Sequence, residues 1–252
     1  MSAITLILWV VVAVFAGALM RAIFGFGEAI VSMPLLALLP IPLQTSVSLI
    51  GLAGLTVAIL TLFRGRQHID RPVLIRLAIT TSIGVPVGLI VLNTVPSTII
   101  TSGLGMFLIA YGFYCIAKKR LYRAVEHPLL NDRGWALPFG FASGVLGSAY
   151  NMNGVPVVVF GTLRGWAPDR LRGTLQAHFV VSGALVVVGH AIGGLWSNES
   201  FSYFAFSLPA ILGATVLGTY LNKRIPTPKF ELYLFLVIVA LGILLLLPRG
   251  VH

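Results

Sequence analysis

Charge is what this chain has least of. Only 10% of its 252 residues are Asp, Glu, Lys or Arg, and just 7 are acidic. A soluble domain carries about 25% charged residues, so a coat this thin excludes a soluble globular protein of the same length. A single cysteine, Cys115, excludes an intrachain disulfide and a cysteine metal cluster. No HExxH pair, no GxSxG elbow and no paired carboxylates occur in the apolar runs, which argues against an intramembrane enzyme. Neither a metal nor a cofactor is expected. What the chain does have is hydrocarbon: 58% of its residues are hydrophobic and the mean hydropathy is +0.98. Several runs approach 20 residues, the length that crosses ~30 Å of lipid. The composition therefore predicts an all-α polytopic membrane protein, with the lipid bilayer as its first partner.

The net charge of +10 would suggest nucleic acid in a soluble chain. Here the basic residues gather in short connections beside apolar runs, so no nucleic-acid partner is expected. No Lys or Arg precedes the first apolar run, and the first basic residue is Arg21. That run is read as a membrane segment and not as a cleaved signal peptide.

Hydropathy divides the chain into ten pieces. The first five are 4–24, 28–40, 44–63, 73–93 and 98–117; the second five are 135–150, 153–163, 172–195, 201–221 and 230–247. Residues 118–134 form the one long polar connection, so residues 1–117 and 135–252 are predicted to be two transmembrane repeats. The second piece of each repeat is too short to cross a bilayer as a regular helix. One follows Gly25-Phe26-Gly27 and the other follows Asn151-Met152-Asn153-Gly154. Gly and Asn form helices poorly and tolerate left-handed backbone. Broken helices are predicted at both places, giving about 8–10 transmembrane or half-membrane helices.

Positive charge orients the chain. Arg64, Arg66, Arg71 and Arg76 cluster at one connection and Lys118, Lys119, Arg120, Arg123 and Arg133 at the centre. Arg164, Arg170 and Arg172 form a third group; Lys223, Arg224 and Lys229 form a fourth. These groups hold fifteen of the 17 basic residues, whereas the connections at 40–44, 94–97 and 196–200 hold none. The positive-inside rule then puts the four groups in the cytoplasm of a cell bounded by a plasma (inner) membrane, and both termini outside. Five pieces per repeat is an odd number, so the second repeat enters the membrane inverted.

The repeats also resemble each other. FAGALMRAIFGFGEAI from Phe15 aligns without gaps on FASGVLGSAYNMNGVP from Phe141, and Gly88, Pro96 and Gly112 fall on Gly218, Pro226 and Gly242. In an inverted repeat, broken helices from the two halves meet near the midplane and bind substrate there. A helix that starts inside the membrane aims unpaired N–H groups and the positive end of its dipole at what precedes it. Gly25, Phe26, Gly27, Asn151, Asn153 and Gly154 are therefore the expected contacts of a small anion, one held without a fixed strong cation. Simple kinks packed against neighbours are the other reading of the same breaks.

Glu28 is the acidic residue placed inside an apolar segment, the other six lying in loops or at segment ends, and such a position costs several kcal/mol (~2.5–3.5 for related charged groups). Three roles stand open: a coupling proton carrier, a partner of Arg21, or a cap on the half-helix. Thr174, His178 and Ser182 make one polar stripe at helical spacing, and Gln176 and, in the first half, Ser48 belong to the same two pieces. These side chains line a pathway or tie helices together; His178 is a second candidate for proton or anion contact. Gly84 and Gly88, with Ala210, Ala214 and Gly218, read as close helix packing, and Pro86 and Pro209 as kinks.

The strings GFGEAIVSMPLLALL, GVLGSAYNMNGVPVVVFGTLRG and RGTLQAHFVVSG resemble the sulfite exporter (TauE/SafE-like) family of membrane permeases. Gly25, Gly27 and Pro34 match its first motif; Gly147, Gly154, Pro156, Gly173 and Thr174 match its second. The resemblance implies a secondary transporter of a small organic or sulfur-containing anion, such as sulfite, sulfoacetate or a similar organic acid, working by alternating access and with protons as a possible coupling ion. Glu28, Asn151 and Asn153 stand where the family commonly has glycine, which leaves the particular anion open. A membrane-embedded structural or assembly subunit is the alternative class, and an intramembrane enzyme the weaker one.

Overall fold

The computed structural model describes residues 2–62, 66–121, 132–222 and 227–247. Arg64, Arg123, Lys223 and Arg224 from the charge groups, Pro226 of the repeat alignment, Arg249, and residues 122–131 of the central connection lie outside the described residues. Among the described residues there are ten α-helices: α1 (Ala3–Phe24), α2 (Glu28–Ala37), α3 (Leu43–Thr61), α4 (Arg71–Thr94), α5 (Ser97–Leu121), α6 (Ala136–Tyr150), α7 (Gly154–Leu163), α8 (Pro168–Ile192), α9 (Asn198–Asn222) and α10 (Thr227–Leu246). No strand occurs among the described residues. The expected short pieces are α2 and α7, ten residues each, about 15 Å long and half of a bilayer core. Pro86 and Pro209 sit inside α4 and α9, both of which continue through them.

Among the described residues, six helices, α1, α3, α4, α5, α8 and α9, are long and apolar enough to cross a membrane. Their outer faces are apolar where a soluble protein would be polar. On α4, Ile75, Ile79, Ile83, Val87 and Ile90 form one exposed stripe, and Phe206, Leu212, Val216 and Tyr220 stand exposed on α9. Polar side chains are inside instead: Ser32, Ser48, Thr81, Ser143, Ser148, Thr174, His178, Ser182 and His190 are all buried. Only hydrocarbon makes that inversion favourable, because exposed hydroxyls there find no water.

The halves are interleaved. α1 packs along α9, its helix from the other half, with Gly218 against Ala22 and Leu19. The matching pair is α4 along α6, where a Cβ at Gly84 would meet the Gly144 Cα at 3.0 Å. Backbone contact this close needs residues without side chains, and it replaces the hydrophobic driving force that lipid does not supply. α3 lies along α8 and α5 along α10, each helix beside its own counterpart. A pseudo-twofold relation between the halves follows from this pairing.

Inversion is visible in the ends. α1 finishes beside the first half of α8, since Gln176 Nε2 donates to the Gly25 carbonyl at 3.1 Å. α6 starts at that same end, where Arg133, Asp70 and Arg170 border one surface cleft. α1 therefore arrives where α6 departs. The connections without basic residues share the opposite end: Asn93 donates to the Gly193 carbonyl, and Ser48 and Ser200 are bonded at 2.7 Å. The first described residues of α1 and the last of α10 are at that end too, Leu245–Leu247 facing Ser97 and Thr98 across a shallow cavity.

Candidate functional site

Both breaks are made by left-handed backbone. α1 stops at Gly25 (φ +85°), Gly27 (φ +96°) precedes α2, and Asn151 (φ +57°) ends α6. Side chains with a Cβ are strained there, which Gly avoids and Asn tolerates. The chain then doubles back. Ser32 of α2 donates to the Ala13 carbonyl of α1 at 2.9 Å, and the Phe160 ring of α7 lies 5.3 Å from that of Phe139 on α6.

Folding back brings the starts of α2 and α7 to one internal cavity. Phe26, Gly27, Glu28, Ala29 and Ile30 line it from the first break, and Asn151, Met152, Asn153, Gly154 and Val155 from the second. Gly51, Gly54 and Gly183 close its sides together with Phe179. Its volume is about 30 Å³, space for about two waters. No side chain caps α2 or α7. The amides of a helix's first turn have no partner inside the helix; on α7 the Val155 N–H donates to the Met152 carbonyl at 3.3 Å, and both helices turn their positive dipole ends toward this cavity.

Five of the expected contacts, Phe26, Gly27, Asn151, Asn153 and Gly154, line the cavity, and Glu28 lines it as well. The remaining five are elsewhere. Gly25 borders a second cavity at the Asp70 end with Thr61, Arg172, Gln176 and Asn222. Gln176 joins Thr61 to the Gly25 carbonyl, accepting from Thr61 at 3.0 Å and donating at 3.1 Å, so it fastens the first break. Thr174 accepts from the Asp70 amide at 3.0 Å, and Asp70 is ion-paired with Arg170. Ser48 is bonded to Ser200 at the opposite end.

His178 serves the second break from behind. Ser143 Oγ donates to the Asn153 carbonyl at 2.6 Å, so it must accept from His178 Nε2 at 2.8 Å. Asn153 Nδ2 donates to Ser182 at 2.7 Å, and Asn151 Nδ2 to the Val47 carbonyl of α3 at 2.7 Å. The stripe of α8 thus acts as a buckle. Each break is held by a helix of the opposite half.

The first break holds charge. Arg21 Nη1 donates to Glu28 Oε2 and to the Gly54 carbonyl, both at 2.9 Å. Both side chains are buried, and the guanidinium also stacks on the Phe179 ring, 4.1 Å from its centre. Of the three roles open to Glu28, the pairing is the one seen. The expectation of an anion site without a fixed cation needs correcting, because Arg21 lines the cavity. Sequence reading recorded Arg21 only as a partner for Glu28. Its signal was there: it is one of just two basic residues outside the four charge groups. Phe179, Gly51, Gly54 and Gly183 carried no such mark.

No curated protein and no solved structure gives a match. Residues 9–245, nearly the whole described chain, match the sulfite exporter TauE/SafE family. An all-helical fold with membrane-length apolar helices accompanies that match, and the chain belongs to the TauE/SafE family of membrane transporters.

Proposed function

We propose that the protein is a secondary transporter that moves a small sulfur-containing or organic anion across the plasma (inner) membrane by alternating access. One observation carries the reading: the N-termini of two half-helices, uncapped and from oppositely directed halves, border the same buried cavity. Fixed amide donors suit an anion that must also leave, since each hydrogen bond is modest. Phe26, Gly27, Asn151, Asn153 and Gly154 are the contacts; Gly25, Gln176, Thr174, His178 and Ser48 act through the backbone and helices they fasten. Protons are the coupling ion, carried by Glu28 and not His178, because Glu28 borders the cavity.

The basic end faces the cytoplasm, and both termini are outside. Fifteen of the 17 Lys and Arg residues belong to that end's connections, which supports this orientation. Purified protein in liposomes tests the transport reading. Radiolabelled sulfite is expected to accumulate in response to an imposed sulfite or proton gradient. Folded protein that moves neither sulfite nor any of a broad panel of organic acids would refute it.

A further inference from the structure

The Arg21–Glu28 pair is unequal. Arg21 is held three ways: by Glu28, by the Gly54 carbonyl at 2.9 Å, and by the face of Phe179. Glu28 has only the one bond to Nη1. If the carboxylate leaves, the guanidinium keeps two anchors and stays; if the guanidinium leaves, the carboxylate keeps none. The pair is also half made. Nε and Nη2 of Arg21 and Oε1 of Glu28 are buried without a hydrogen-bond partner among the described residues. A guanidinium opposite a carboxylate ordinarily forms two parallel bonds, and buried donors left unmade are costly. The two guanidinium nitrogens are vacant donors for an oxyanion.

Arg21 occupies the wall between two spaces. It lines the small cavity at the half-helix starts and also the larger one, about 280 Å³, at the Asp70 end. In that larger cavity Arg172 lies beside Gly25. The aligned positions of Arg21 and Glu28 in the other half are Gly147 and Gly154. No second cation is supplied there, and Arg21 is the one cationic side chain that lines the inner cavity among the described residues.

We propose that Arg21 is the charged contact of the transported anion, and that Glu28 is an internal occupant of the same guanidinium which the anion displaces on entering from the Arg172 cavity. The inference rests on the transport reading for the identity of the cargo. It adds what that reading lacks: a competitor built into the site. Without cargo the carboxylate neutralises Arg21; with cargo the anion takes its place, while Gly54 and Phe179 hold the guanidinium at the boundary between the two cavities. Gly54 has no side chain to obstruct the exchange.

Sulfite binding to purified protein, measured by calorimetry, tests this. Glu28→Gln removes the competing charge and is expected to bind sulfite at least tenfold tighter than the native chain. Arg21→Gln combined with Glu28→Gln, which leaves no net charge stranded, is expected to lose that gain entirely. Equal or weaker binding by folded Glu28→Gln overturns the proposal, as does a double variant that binds as tightly as Glu28→Gln. Should Glu28→Gln not fold, Glu28→Asp keeps the charge but shortens its reach; it is expected to bind at least threefold tighter, and unchanged affinity overturns the proposal. Sulfite exchange by the native chain in liposomes separates the two ideas. Exchange with unaltered affinity in the variants defeats displacement alone. Arg21-dependent binding without exchange defeats transport alone. No binding by any folded form defeats both.

Discussion

The two breaks have one backbone and different chemistry. Each follows a helix ended by left-handed backbone, each opens a ten-residue half-helix, and each faces the same cavity. At the first, two ionisable side chains on α1 and α2 meet beside Gly54. At the second, glycines stand at both aligned positions, and neutral amides, two serines and a histidine tie the break to α3, α6 and α8. Glycine there also admits a neighbour: a Cβ on Gly154 would collide with the Phe179 ring, which packs at this spot while its face meets Arg21. The difference teaches that an inverted repeat need duplicate only the geometry. Charge placed once in the middle serves both halves, and a second buried pair would add a second desolvation penalty.

The largest test of this asymmetry is Arg21→Ala. Stranding a buried Glu28 is expected to cost about 3–5 kcal/mol, read as a lower unfolding temperature in detergent, together with lost sulfite transport. If the variant melts with the native chain, the pair does not hold the first break. Next come the left-handed positions. Gly25→Ala and Asn151→Ala are each expected to cost about 1–2 kcal/mol through backbone strain, whereas Asn151→Gly loses only its bond to Val47. Equal costs for Asn151→Ala and Asn151→Gly would show that the side-chain bond, and not the backbone, sets the need for Asn.

Smaller effects probe the buckle. Asn153→Ala and Ser182→Ala are each expected to cost about 0.6 kcal/mol, the ordinary value for a hydrogen bond between membrane helices. Because they share one bond, the double variant should cost little more than either alone; additive losses would mean that the two side chains act separately. The smallest effect is expected at Ser48→Ala, which removes a bond to Ser200 away from both breaks. Transport should remain within about twofold of native, given the small value of one such bond. A large loss there would move the site toward the opposite end.

Much of this architecture was legible in the sequence. Hydropathy placed ten pieces that correspond to α1–α10, and the Gly-Phe-Gly and Asn-Met-Asn-Gly strings marked both breaks. They were legible because the constraint on each is local: a run must be long enough for lipid, and a left-handed residue must be Gly or Asn. The polar stripe of α8 was visible too, yet its task was not. Thr174, His178 and Ser182 share a helix face in any structure; whether that face meets cargo or a neighbouring backbone depends on what packs against it.

By itself, then, the order of residues determined the membrane class, the half-length helices and the reversal of the second half, since each follows from span length, backbone preference or the side on which cations lie. Only the tertiary structure decided that α1 would lie along α9 and α4 along α6, that Gln176 would hold Gly25, and that Arg21 would line the cavity beside Glu28 and Phe179. Such contacts join positions more than a hundred residues apart in most cases, and they arise from which small-residue faces fit closely enough to exclude lipid, a property of paired surfaces that no single stretch of chain possesses.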